Sequence, residues 1–221
     1  YVHIPFCVRK CNYCDFCSKP PTASDFEGYF ERLEREFSLY RRSPKIRIDS
    51  IFVGGGTPSL LPRGYFTRLF DLIKNTFDID PAAEITAEIN PGTLTREKTE
   101  EYKSVGINRV SVGLQTVHEN ELKKLGRIHS YSDFLASYNL LREVGFANIS
   151  VDLMYGIPEQ TAERLAKILD VEFGSGITVN AIAPGLIETD MNKSLSEDDI
   201  AEVIDATPVM KIGASSDVAK A

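Results

Sequence analysis

Short apolar runs alternate along the chain with stretches whose apolar residues recur every three or four positions. The runs YVHI (1–4), SIFV (50–53), EITAEI (84–89), RVSVGL (109–114), ISVDLM (149–154) and ITVNAIA (177–183) predict six strands. Most are rich in Val and Ile and nearly continuous, as strands buried on both faces are. Between them the spacing predicts helices. Phe26, Phe30, Leu33 and Phe37 share one face of the first, with Ser24 and Glu27 spaced as a capping box. Leu69, Leu72 and Ile73 stripe the second. Thr95 is expected to cap a third that stops at Gly106; Ser130 and Asp133 open a fourth that stops at Gly145. A fifth is expected over 161–173, and a last over 196–206, with Ile200 and Val203 inward and Pro208 beyond its end. Strand–helix alternation of this kind predicts an α/β fold, a parallel sheet with crossover helices.

The bulk numbers narrow the partners. The chain has 221 residues, 43% hydrophobic and 26% charged, an ordinary globular composition. Its 25 basic and 32 acidic side chains give a net charge of −7. That balance argues against nucleic acid or an anionic membrane as the main partner. No apolar run is long enough to predict a transmembrane segment. The chain opens on Tyr1 rather than Met, so residues are expected before it.

All 4 cysteines fall in the opening stretch, YVHIPFCVRKCNYCDFCS, at Cys7, Cys11, Cys14 and Cys17. A chain of this size can bury a core without disulfides, and clustered thiols point to a reducing, cytoplasmic compartment. Cys7, Cys11 and Cys14, spaced CxxxCxxC after the first strand, can reach three corners of one iron–sulfur cluster. A 4Fe–4S cluster held at three corners leaves one iron open to a small molecule. A structural zinc site using all four thiols is an alternative, though such sites pair two separated CxxC knuckles. Disulfides or inert thiols are another. Cys17 could sit near the cluster, ligate a second metal or hold nothing, and the last is the expectation.

Further polar groups stand where apolar ones are expected. Glu88, Gln115 and Asp152 lie in or just past apolar strands, and a buried charge there needs a partner. Sites on parallel barrels gather at the strands' C-terminal ends. Arg127, after the fourth strand, could grip a carboxylate through two N–H groups. VGGGTPS (53–59) closes the second strand, and glycines there let backbone approach a ligand. Gly54-x-Gly56 half-matches a dinucleotide loop but lacks its third glycine, since Ser59 stands there. His3, His118 and His129 are assigned no chemistry, because a lone histidine more often packs or meets solvent.

CxxxCxxC after a first strand resembles the radical S-adenosylmethionine (SAM) enzymes. YVHIPFC, CNYCDF and IFVGGGTPSLL resemble their haem-related branch, which holds oxygen-independent coproporphyrinogen III oxidases and haem chaperones. The likeness continues through AEINPGTL, RVSVGLQT, LGRIHS and ISVDLMYGIPEQT, to about residue 161. The oxidases carry an extra cysteine where Phe16 stands, and YCDF with Ser18 is similar to the chaperone side. The resemblance implies a partial parallel (βα)6 barrel of radical-SAM type, with a 4Fe–4S cluster on Cys7, Cys11 and Cys14. It further implies SAM contacts at Tyr1, Tyr13, Gly55, Gly56, Thr57, Glu88, Gln115, Arg127 and Asp152. Haem or a porphyrinogen would be the second small molecule, and an external reducing electron donor would drive reductive cleavage of SAM.

The text then changes. SGITVNAIAPGLIETDM and the residues after it resemble the C-terminal part of a short-chain dehydrogenase/reductase, with Asn180, Pro184, Gly185 and Thr189 matching the loop that borders its nicotinamide cofactor. No TGxxxGxG loop is present, and none of the 9 tyrosines has Lys four residues on, so the reductase's YxxxK is missing. An NAD(P)-dependent reductase is the minor reading. The chain therefore reads as a fusion joined near 161–165. Residues 1–162 form a radical SAM core fragment with strands one to five. Residues 163–221 supply a grafted sixth strand and a helical tail, in place of the family's own sixth strand and the region that would meet substrate or haem.

Overall fold

A computed structural model of the protein describes residues 1–164, 187–188, 196–206 and 213–214. The chain divides into two compact units, Tyr1–Asp170 and Val171–Ala221.

The first unit is built on strands β1 (Val2–Ile4), β2 (Ile46–Gly55), β3 (Phe77–Ile89), β4 (Arg109–Gln115) and β5 (Asn148–Leu153). They form one sheet in chain order, and every neighbouring pair is parallel. A sheet that winds in one direction without reversing puts all strand C-termini at one end, as a barrel wall does. Helices α1 (Ala23–Tyr40), α2 (Tyr65–Thr76), α3 (Arg96–Val105), α4 (Glu119–Lys124) and α5 (Tyr131–Glu143) fill the crossovers. Phe30, Leu33 and Phe37 of α1, and Phe66, Leu69, Phe70 and Ile73 of α2, are buried. Phe66 meets Tyr102 of α3 with ring centroids 4.2 Å apart. Of the predicted stripes, Phe30, Leu33, Phe37, Leu69 and Ile73 are buried, while Phe26 and Leu72 are half-buried.

Caps follow local chemistry with one correction. Thr95 accepts from the Lys98 N–H, and Gly106 ends α3 at φ +106. Ser130 and Asp133 form a reciprocal box on α5, and Gly145 lies beyond its end at φ +92. The first helix, however, starts two residues before the expected Ser24 box. Thr22 is its N-cap, and the Thr22 N–H donates to Asp25 Oδ2 at 2.7 Å. Ser24 and Glu27 lie within the helix. Both boxes have the right spacing, and the one nearer the end of the extended backbone prevails.

Strands β2 and β3 begin earlier than their apolar runs. Ile46–Ile48 pairs with Phe77–Ile79, and the register shifts between Ile48 and Ser50. This extension is largely solvent-facing, so it carries polar residues such as Arg47 and Asp80, which pair with each other. The short helix α4 has no long apolar stripe to predict it. One cap comes from far along the chain: buried Glu101 of α3 accepts from the N–H groups of Gly64 (2.9 Å) and Thr67 (2.8 Å) at the start of α2.

In the second unit, β6 (Ile187–Glu188) pairs parallel with β7 (Gly213–Ala214), and α6 (Glu197–Ala206) forms where the last helix is expected. Of the helix expected over 161–173, residues 162–164 are helical and the remainder lies outside the described residues. The strand expected over 177–183, and Asn180, Pro184, Gly185 and Thr189, also lie outside them. No helix among the described residues is long and apolar enough to cross a membrane.

Candidate functional site

The cysteines occupy the loop between β1 and α1, and hydrogen bonds from three directions hold that loop. At its neck Cys7 N–H donates to Lys19 O and Lys19 N–H to Pro5 O, both at 3.0 Å. On one flank Asn12 docks on the end of α4: its backbone N–H donates to Leu125 O (2.9 Å) and its amide to Lys124 O (2.8 Å). At the far end the His3 Nε2–H donates to Cys17 O at 2.9 Å. A carbonyl can only accept, so His3 carries a proton on Nε2, and its Nδ1 lies within hydrogen-bond distance of the Tyr1 hydroxyl (3.0 Å). His3 thus has a positioning role that the sequence did not assign.

The C-terminal ends of β2 to β5 face this loop. Together they enclose a cavity of about 160 Å³ lined by Cys7, Cys11, Cys14, Tyr13, Gly55, Gly56, Thr57, Glu88, Gln115, Arg127 and Asp152. Every residue the sequence assigned to the cluster or to SAM is in that lining except Tyr1. Tyr1 is largely exposed, and its ring stacks beside Phe52 with centroids 6.1 Å apart. A larger hollow of about 490 Å³ lies beside the α2 N-terminus, and Glu101, one of the three glutamates lining it, is engaged as a cap.

Some lining residues were not singled out. Ser111 and Gly113 alternate with Gln115 along β4, so the two-residue period of a strand could have found them. Asn90 follows Glu88 by two residues at the end of β3, and the same period applies to it. Gln115 itself has φ +70, in the left-handed region that a side chain rarely adopts, beside a register shift against β5. A bulge at a strand end re-aims a side chain.

Gly55, the last residue of β2, and Gly56 after it serve the protein's own packing. A Cβ on Gly56 would stand 2.6 Å from Phe6 O, and one on Gly55 would stand 2.7 Å from the His3 ring. The Gly55 N–H is already donated to Glu88 Oε2 at 3.0 Å. Close backbone approach is required here, between β2 and the start of the cysteine loop.

Two carboxylates and one guanidinium set the field. Burial, reinforced by the charge of Asp152, pushes the Glu88 carboxyl up to about 7, against the opposing Gly55 N–H. Asp152 is raised by burial, although Ser111 Oγ donates to it (2.8 Å) and Arg109 and Arg127 oppose the rise. Burial lifts the Tyr13 hydroxyl to about 12. Buried His129, outside the lining, is held down to about 4 by burial and by the Arg127 charge. Arg127 donates to Gly113 O (2.6 Å) and Asn90 Oδ1 (3.1 Å), while its buried Nε lacks an acceptor.

Glu88 gives a pH signature. Its folded-state value lies above the unfolded one, so the fold binds this proton more tightly, and stability falls as pH rises from about 4.5 to about 7. Discounted for partial exposure, the loss is about 2 kcal/mol. Glu88→Gln should flatten that part of the stability–pH curve, as read by urea unfolding between pH 5 and pH 8.

The residues fit an iron–sulfur centre by their donor chemistry. All four cysteines are free thiols. Thiolates are the ligands these clusters use. Among the described residues no three His, Cys, Asp or Glu side chains close on a single ion. Cys7, Cys11 and Cys14 line a shared cavity instead, as ligands to separate irons of a cluster do. The unpartnered Arg127 Nε shows that the cavity wall is short of an acceptor. Cys17 is exposed and outside the lining.

Comparison with known proteins agrees. The chain is 38% identical over 167 residues to the heme chaperone HemW of Bacillus subtilis, covering 75% of this chain and 44% of that protein. It is 38% identical over 170 residues to the heme chaperone HemW of Haemophilus influenzae, covering 74% and 44%. The chain thus spans less than half the length of these relatives. Among solved structures, the coproporphyrinogen III oxidase HemN from Escherichia coli, described as a radical SAM enzyme, superposes with a TM-score of 0.70 at 31% identity, covering 76% of this chain and 39% of that one. A family model described as Enoyl-(Acyl carrier protein) reductase matches residues 136–221. The Radical SAM superfamily model matches residues 1–171. By that match, over most of its length, the chain belongs to the radical SAM superfamily, whose members carry a 4Fe–4S cluster and use SAM.

Proposed function

We propose that the first unit binds a 4Fe–4S cluster through Cys7, Cys11 and Cys14 and binds SAM beside it, as a cytoplasmic protein of the haem-related radical SAM branch. One observation carries this reading: a single cavity is lined by those thiols and by Glu88, Gln115, Arg127 and Asp152. Bound and reduced, such a cluster supplies an electron for reductive cleavage of the SAM sulfonium. The chain's own residues bind and orient. Arg127 offers N–H groups to a carboxylate. Glu88 and Asp152 accept from an ammonium and from ribose hydroxyls, and Gln115 can do either. An incoming cation favours the ionised form of Glu88, so SAM should bind more tightly above pH 7 than below it.

Haem is the second ligand in this reading. The HemW names favour haem binding over porphyrinogen decarboxylation, and Phe16 stands where the oxidases carry their extra cysteine. The oxidase-like alternative rests on the likeness to HemN. A reductase is disfavoured by the missing YxxxK.

Anaerobic reconstitution with iron and sulfide tests the proposal. Loaded protein should retain SAM in equilibrium dialysis, and metal-free protein should retain far less. Zinc at one per chain without iron would overturn it. Haem titration against coproporphyrinogen consumption separates the two haem-related readings, and 5′-deoxyadenosine formation under a reductant reads turnover.

A further inference from the structure

Resting on the cluster reading, we infer that Asn90 is a positioning residue that sets the hydrogen bonding of two cluster thiols at once. Its Oδ1 accepts from Arg127 Nη2 at 3.1 Å, and Arg127 Nη1 reaches Cys11 Sγ at 3.8 Å. Its Nδ2 donates to Thr57 Oγ1 at 2.8 Å, and that hydroxyl donates to Cys7 Sγ at 3.3 Å. The amide has one workable orientation, because the flipped form would set its NH₂ against the guanidinium. With its acceptor side occupied by Asn90, the Thr57 hydroxyl keeps its single proton for the sulfur. Asn90 is itself fixed, since its backbone N–H donates to Ser59 Oγ at 3.0 Å.

Two paths thus run from one amide to two different cysteines, which leave the loop four residues apart. Hydrogen bonds to cluster sulfurs are one of the protein's levers on reduction potential. A donor favours the more negative, reduced state, so these two raise the potential. Loss of the amide frees the hydroxyl to turn away and removes one anchor of the guanidinium, leaving Gly113 O as the remaining acceptor of Nη2.

The test is an EPR-monitored redox titration of anaerobically loaded protein. Asn90→Ala should shift the cluster to a more negative potential, leaving about tenfold less of it reduced at a fixed ambient potential, equivalent to about 59 mV. Asn90→Leu, which fills similar space without a hydrogen-bonding group, should shift it the same way and serves where Asn90→Ala folds poorly. In a Thr57→Val background the Asn90 effect should shrink, because one of its two paths is already gone. A parent that loads iron normally while both Asn90 variants keep its potential overturns the role of Asn90 alone. A parent that takes up no iron overturns the cluster reading and this inference with it.

Discussion

Cys11→Ala protein, loaded without oxygen, is expected to carry on the order of a tenth or less of the parent's iron and sulfide, because each cluster corner needs its thiolate. Cys7→Ala and Cys14→Ala should behave alike, since all three thiols line one cavity. Cys17→Ala is the control. Its thiol is exposed and outside that lining, so its iron content should match the parent's. Iron and acid-labile sulfide assays read the result directly. Full loading of Cys11→Ala would remove the basis for the three-corner site. Loss of loading in Cys17→Ala as well would point instead to a four-thiol centre such as zinc uses. The fold should survive each change, because the loop is also held through Cys7 N–H, Asn12 and His3, none of which needs the sulfur.

Glu121→Ala is expected to destabilise the protein by about 3 kcal/mol, since a lost buried carboxylate strands its donors. Glu121 has no exposed surface, and it accepts from Thr116 Oγ1 (2.6 Å), Gln160 Nε2 (3.3 Å) and Arg164 Nη1 (3.3 Å). Arg164 is partly exposed and can rehydrate, which keeps the cost at the low end of the range for broken buried pairs. The carboxylate ties α4 to the end of β4 and to residues 160–164. Since the end of α4 carries the Asn12 acceptors, iron should also leave the loaded variant faster under a chelator. Urea unfolding and timed iron release measure the two effects. Unchanged stability would show that water replaces the carboxylate without cost.

The chain announced where its three clustered thiols gather, its strand–helix alternation and the caps at Thr95, Gly106, Ser130 and Gly145. Each of these is local: a thiol triad within eight positions, an apolar period, a side chain bonding backbone three residues on. Polar residues at Glu88, Gln115 and Asp152 were legible for a related reason, because a charge inside an apolar run needs a partner wherever the strand goes. Tertiary structure alone decided how distant groups pair. Asn90 bridging Thr57 and Arg127, Glu101 capping α2 from α3, His3 holding the Cys17 carbonyl and Glu121 gathering Gln160 and Arg164 all depend on it. A hydrogen bond between residues tens of positions apart leaves no period or spacing in the chain. Its partners become neighbours only when parallel strands bring their C-terminal ends to one side of the sheet.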